Sequence, residues 1–192
     1  ASGSPGAGPY YTNDMDFITF SSTGTCTDFG DNETAVSGPF GLGNQTRGLI
    51  GGGSFPSGAT NVLTHITIAS AGNAKDFGDL TDPRNDLRGV CASPVRGLVF
   101  GGVTPSATVN IDEITIPTQG NAYKFGEIAH STQERGMGCS NSIRGLIAGG
   151  QTPTTTAFIE TVIIATRSDT TVFGDLSATN INAGANAATT SP

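Results

Sequence analysis

Apolar positions fall in short runs along this chain, and no run keeps a helical period. The segment Phe158-Ile159-Glu160-Thr161-Val162-Ile163-Ile164 is apolar and β-branched, the composition of a strand. Its core returns as Ile18-x-Phe20, Ile66-x-Ile68, Ile114-x-Ile116 and Val162-x-Ile164, each 48 residues after the last. A second kind of run, such as Arg144-Gly145-Leu146-Ile147-Ala148-Gly149-Gly150, predicts an inner strand closing into a tight turn. A third ends in Phe-Gly-Asp, with its aromatic near the strand end. A fourth is built from small residues, as in Gly136-Met137-Gly138-Cys139-Ser140-Asn141. It predicts a strand where elements crowd together, because small side chains permit close backbone approach. Pro/Ser/Thr-rich and polar turns separate the runs, so the pattern is four strands per repeat and no helix.

Repetition sets the organisation, since a missed repeat mis-assigns a whole fold. Phe29-Gly30-Asp31 recurs as Phe77-Gly78-Asp79, Phe125-Gly126-Glu127 and Phe173-Gly174-Asp175, again at intervals of 48. Arg47-Gly48-Leu49 recurs as Arg96-Gly97-Leu98 and Arg144-Gly145-Leu146. Each is followed by a glycine pair (Gly52-Gly53, Gly101-Gly102, Gly149-Gly150) and by a proline nine residues past the arginine: Pro56, Pro105, Pro153. Four copies, approximately 1–48, 49–96, 97–144 and 145–192, account for the chain as a single repeat domain. The four equivalent phenylalanines are expected in like environments.

Four short antiparallel strands per 45 to 50 residues is the arithmetic of a β-propeller blade. With its double glycine after an apolar strand, the repeat resembles the kelch family, and the Phe of each Phe-Gly-Asp falls where kelch repeats usually carry Trp. It departs from kelch in having no Trp and no Tyr at the usual spacing. It is more similar to kelch-like repeat proteins of tailed, notably marine, bacteriophages. The matching residues are Ile66-Thr67-Ile68, Gly72-Asn73-Ala74 and Phe77-Gly78-Asp79-Leu80-Thr81. The resemblance implies an all-β fold: a kelch-like propeller of four 48-residue blades, or part of a larger one. An open β-repeat solenoid is the alternative, held by the same blade-on-blade burial. Three Arg-Gly-Leu strands serve four copies, so one blade is expected to lack a strand. Either the chain is a segment of a longer protein, or another chain donates the strand by β-augmentation.

Composition narrows the function. Charged residues are 13% of the chain, against roughly 25% in typical soluble domains. The net charge is −7, and the lysines are Lys75 and Lys124 alone. Counterion-release binding to nucleic acid requires clustered cations, so no nucleic-acid partner is expected. No apolar run approaches the roughly 18 residues of a membrane span, so no membrane partner is expected either. The three cysteines, Cys26, Cys91 and Cys139, are too few and too odd for a disulfide framework and lack zinc spacing. Cys91 and Cys139 occupy equivalent positions in neighbouring copies. They are expected as buried free thiols packing as small hydrophobes, with a bridge between adjacent inner strands as the alternative. Cys26 aligns with Ala74 and Ala122 and reads as a small residue.

Recurrence weighs against catalysis, because a structural contact is needed in every blade and a catalytic group usually once. Arg47, Arg96 and Arg144 are therefore expected to pair with the carboxylates of Asp31, Asp79, Glu127 or Asp175; lining a surface for anionic sugars is the alternative. Asp16, Asp112 and Glu160 share one repeat position, broken by Thr64, and read as solvated strand carboxylates rather than a calcium site. His65 and His130 read as surface or strand histidines. No GxSxG, HExxH or P-loop occurs. Neither a metal nor a cofactor is expected.

The expected function is a non-enzymatic structural and interaction module of a virion or extracellular appendage, tail-fibre-like, forming filaments through an incomplete terminal blade. Its partners would be other virion or appendage subunits, with self-association first among them. A lectin-like propeller recognising host-surface glycans is the alternative.

Overall fold

The computed structural model describes residues 11–87, 89–130, 134–151 and 154–180. Strands form at the short apolar runs, except that Ile18-x-Phe20 lies outside any strand, and the described residues contain no helix. β1 (Thr12–Phe17) and β2 (Thr27–Val36) make a two-stranded antiparallel sheet. Next come β3 (Phe40–Gly43), β4 (Arg47–Gly51), the small hairpin β5 (Ser54–Phe55) and β6 (Gly58–Ala59), β7 (Val62–Thr67) and β8 (Lys75–Asp79). The sheet order is β3-β4-β7-β8, all antiparallel.

The same meander returns twice. β9 (Gly89–Ala92), β10 (Arg96–Phe100), β13 (Asn110–Thr115) and β14 (Tyr123–Glu127) form the third sheet, and β11 (Val103–Thr104) with β12 (Ser106–Ala107) makes a separate hairpin between β10 and β13. β15 (Met137–Ser140), β16 (Arg144–Ala148), β17 (Phe158–Ile163) and β18 (Thr171–Asp175) form the fourth. The chain is thus all-β, with three four-stranded meanders after the two-stranded first sheet, and two separate small hairpins, among the described residues. The small-residue strand opens each four-stranded sheet rather than closing the one before it. Pro153 lies outside the described residues.

Local chemistry explains the turns. Between the first two strands of a sheet, Asn44 Oδ1 accepts from the Thr46 and Arg47 N–H groups at 3.0 and 2.9 Å. Asn141 Oδ1 does the same for Ile143 and Arg144 at 2.8 and 2.7 Å, and Ser93 Oγ takes the Arg96 N–H at 3.0 Å. These side chains mimic a backbone turn. The predicted tight turn at each glycine pair is present: Gly52 and Gly53 have φ of 59° and 87°, Gly101 and Gly102 61° and 107°, Gly149 and Gly150 63° and 107°. Residues with a Cβ disfavour that left-handed region.

Apolar side chains form one core layer between each pair of successive four-stranded sheets. Phe40, Leu49, Leu63, Phe77, Val99, Ile114 and Ile116 pack between the second and third sheets. Cys91, Leu98, Phe100, Ile111, Phe125, Ile147 and Ile164 pack between the third and fourth. The third sheet is covered on both faces, which is why β13 is almost continuously buried instead of alternating.

The crowding predicted for the small-residue strands is present where β9 meets β15. A Cβ added to Gly138 would stand 2.4 Å from the Val90 carbonyl oxygen. Ser140 Oγ donates to Ala92 O at 2.8 Å and accepts from Ala92 N at 3.0 Å. The three cysteines are free. Cys91 is buried, its Sγ 3.2 Å from the Cys139 carbonyl oxygen. Cys26 is exposed, so it does not share the buried setting of its counterparts Ala74 and Ala122.

Burial pushes the Cys91 thiol up from 9.0 to about 12, with the neighbouring Cys139 adding to the shift. Below pH 9 the thiol is neutral folded and unfolded, so it contributes no pH dependence. Above 9 only the unfolded state releases the proton, and stability falls as pH rises towards 12. The slope is about 1.4 kcal/mol per pH unit. Urea unfolding at pH 8 and pH 10 is expected to show wild type losing about 1.4 kcal/mol more than Cys91→Ala. Equal losses would mean that the thiol is solvated.

Candidate interaction surface

Each Phe-Gly-Asp block sits on a β-bulge. The ladder slips between Leu63 and Thr64, between Ile111 and Asp112, and between Ile159 and Glu160, leaving Phe77, Phe125 and Phe173 as the extra residues. In the first sheet the slip lies between Met15 and Asp16, opposite Phe29. A bulge takes one residue out of the ladder and re-aims its backbone. Here the freed carbonyls are used by the next sheet. Gly72 N donates to Phe29 O at 2.6 Å and Ala74 N to Asp31 O at 2.8 Å. One repeat on, Gly120 N donates to Phe77 O at 2.8 Å and Ala122 N to Asp79 O at 2.7 Å.

The intervening side chain completes the clasp by accepting from the same block. Asn73 Oδ1 takes Asp31 N–H at 3.1 Å, Asn121 Oδ1 takes Asp79 N–H at 3.1 Å, and Asp169 Oδ1 takes Glu127 N–H at 2.8 Å. The approach leaves no room for a Cβ at the middle glycine. One built on Gly30 would lie 2.5 Å from Gly72 C, on Gly78 2.5 Å from Gly120 O, and on Gly126 2.1 Å from Ser168 O. At Gly174 the same test meets nothing within 4 Å.

The phenylalanines follow suit. Phe77 and Phe125 are 2% and 4% exposed, whereas Phe173 is 53% exposed and Phe29 half-buried. The expectation of like environments therefore holds for the two internal copies and fails at Phe173, because no described residue packs there as a following repeat would.

The arginines have other partners than the sequence suggested. Arg47 Nη1 donates to Ile116 O at 2.8 Å and Arg96 Nη1 to Ile164 O at 2.9 Å, each reaching into the next sheet. Their guanidinium carbons lie 5.7 and 5.8 Å from the ring centroids of Phe77 and Phe125, a cation–π distance. Arg96 also faces Glu113 at 3.5 Å, whose other oxygen binds Arg167. Arg144 is exposed. Pairing with Asp31, Asp79, Glu127 or Asp175 is thus corrected. Asp31, Asp79 and Glu127 serve the clasp through their backbones, and Glu127 pairs with Lys124 instead.

The shared acidic position is corrected at two of its three members, since Asp16 is exposed as expected. Asp112 and Glu160 are fully buried, not solvated. Asp112 accepts from Arg84 Nη2 at 2.9 Å, Thr81 N at 2.9 Å and Thr81 Oγ1 at 2.8 Å. Arg84 is itself fully buried and reaches the Gly101 and Asn110 carbonyls at 3.3 Å. Glu160 accepts from His130 N at 3.1 Å and Thr170 Oγ1 at 2.9 Å, with His130 Nδ1 at 3.2 Å. In both cases a carboxylate on the third strand of one sheet holds the connector arriving from the sheet before. No local signal in the sequence marks this, since the connector residues lie 28 to 31 residues from their carboxylates. His65 lies in β7, edge-on to Phe77 at 5.8 Å, and His130 stacks on Phe158 at 4.0 Å. No group of three potential metal ligands occurs among the described residues.

Two clefts flank the first sheet. One of about 700 Å³ is bordered by Tyr11, Asn13, Asp14, Asn32, Phe40 and Ile50. The other, about 470 Å³, is bordered by Met15, Phe17, Phe29, Ile50 and Ile66. Among the described residues nothing pairs with the free edge of β1, where the later sheets place their first two strands. No protein-family model matches the chain, and no curated protein matches it.

Proposed function

We propose that this chain is a non-enzymatic structural and interaction module of a virion or extracellular appendage, tail-fibre-like in role, its sheets being successive blades of a kelch-like array. The observation that supports the reading is how the recurring residues are used. Phe-Gly-Asp, Gly-Asn-Ala and the arginines of Arg-Gly-Leu join one sheet to the next, copy after copy. Repeats that contact only their neighbours make extended scaffolds whose stability grows with each interface. Gold-labelled antibody against the chain is expected to decorate the outside of intact particles or cells of its source in electron micrographs. Label reaching it only after they are broken open would overturn the placement.

A second reading rests on the larger cleft beside β1, where Tyr11 stands among Asn13, Asp14 and Asn32. An aromatic face surrounded by hydrogen-bonding groups suits a sugar ring. The lectin reading predicts saturable binding on a glycan array that Tyr11→Ala abolishes; signal unaffected by that change would dismiss this cleft as the site.

A further inference from the structure

The two end faces of the array complement each other. On the fourth sheet, Phe173, Gly174 and Asp175 repeat the bulge that receives a neighbour at Phe29, Phe77 and Phe125, but their outer side is open. On the first sheet, Gly24-Thr25-Cys26 is the counterpart of Gly72-Asn73-Ala74 and Gly120-Asn121-Ala122. Cys26 is exposed, whereas its counterparts Ala74 and Ala122 are buried inside the array. One face thus offers the acceptors of the clasp, and the other offers its donors.

Two further contacts match. Arg47 and Arg96 donate across the interface to the carbonyls of Ile116 and Ile164. Continuing that spacing, the exposed Arg144 would meet the carbonyl of Phe20, the repeat counterpart of those isoleucines. Ile116 and Ile164 are 0% and 1% exposed inside the array, whereas Phe20 is 97% exposed. Its ring would cover Phe173, as Ile116 shares a core layer with Phe77.

We propose that copies of this chain associate head to tail, the Gly24-Thr25-Cys26 block of one copy seating on the Phe173-Gly174-Asp175 bulge of the next. The partner is a second copy because the chain's own internal interfaces specify the backbone donors, the bulge carbonyls, the arginine and the apolar contacts of the docked face, with Thr25 alone replacing the side-chain acceptor of Asn73 and Asn121. The interface is heterologous, so it propagates into filaments or closes into rings. It differs from strand donation: no strand is added to a sheet edge, and the bulge carbonyls receive the neighbour's N–H groups. The inference rests on the module reading above and names that module's partner.

Analytical ultracentrifugation of the intact 192-residue chain, under reducing conditions that keep the exposed Cys26 from cross-linking, tests it from micromolar to millimolar concentration. Wild type is expected to show concentration-dependent growth beyond a dimer. Gly174→Val is expected to weaken association by about 100-fold or more, because a backbone-to-Cβ clash cannot be relieved by a rotamer change. Its thermal unfolding as a dilute monomer should match wild type, since the position is open in the single chain. Thr25→Asn installs the acceptor found at positions 73 and 121 and is expected to tighten association by about 3- to 10-fold. A chain that stays monomeric throughout overturns the proposal. Association indifferent to Gly174→Val also overturns it while leaving the module reading standing, because the copies would then meet by another face.

Discussion

Gly126→Ala is expected to lower the unfolding free energy by about 3 kcal/mol or more, while Gly174→Ala at the equivalent position changes it by at most about 0.5 kcal/mol. Gly126 and Gly174 occupy the same place in the Phe-Gly-Asp/Glu bulge, and neither has a left-handed φ. Backbone strain therefore does not separate them. The difference lies in what the new methyl group meets. At Gly126 it would stand 2.1 Å from Ser168 O, 2.5 Å from Ser168 C and 3.0 Å from Asp169 N. These are backbone atoms, so the turn of the fourth sheet must retreat. Its retreat breaks the bonds from Thr170 N to Glu127 O and from Glu127 N to Asp169 Oδ1, each worth about 1 kcal/mol net. Urea denaturation of both variants, read by the same probe, measures the difference. Equal stabilities would show that the sheets do not approach at this point, and the clasp would lose its physical basis.

Asp112→Ala is expected to cost about 3–5 kcal/mol, the usual consequence of leaving one member of a buried ion pair without its partner. Arg84 and Asp112 have no exposed side-chain surface, and the remaining carboxylate near Arg84, that of Asp82, is 3.8 Å away. A guanidinium does not escape by losing its proton. After the substitution it keeps the two carbonyls at 3.3 Å and the Thr81 hydroxyl at 2.9 Å, with no carboxylate at hydrogen-bond distance. The double variant Arg84→Met with Asp112→Leu removes both charges and keeps apolar volume, so it should recover most of the loss. A double-mutant cycle by chemical denaturation gives the coupling directly. A double variant as damaged as the single one would mean that the pair is held for its hydrogen bonds to Thr81 and the connector, not for its charge balance. Either result bears on the array, because this pair fastens the connector between the second and third sheets.

The legibility of these features follows from the range of the interactions behind them. The glycine pairs were read as tight turns because a left-handed backbone is a local demand that glycine meets. The small-residue strands were read as crowded because side-chain size is written in each position. The Phe-Gly-Asp bulge is legible only as a strand end, since its reason is the neighbouring repeat's Gly-Asn-Ala block 42 residues later. A reader could have found it by asking why glycine recurs inside a strand, which marks a bulge or a close backbone approach. The sequence misdirects the arginines because opposite charges on recurring blocks invite pairing, whereas the carbonyls they bind are invisible in side-chain chemistry.

What the sequence determined by itself is the local part of this protein: strands from short apolar runs, turns from glycine, asparagine and serine, and a period of 48 that makes each unit alike. Steric and torsional preferences act over a few residues, so they are readable from a few residues. Only the tertiary structure decided which groups meet between units. It put Asp112 and Glu160 inside with the connectors, turned Arg47 and Arg96 onto backbone carbonyls, and separated the enclosed Gly126 from the open Gly174. Those outcomes depend on how closely one sheet stacks on the next, a distance set jointly by all the side chains of a core layer and by no single stretch of chain.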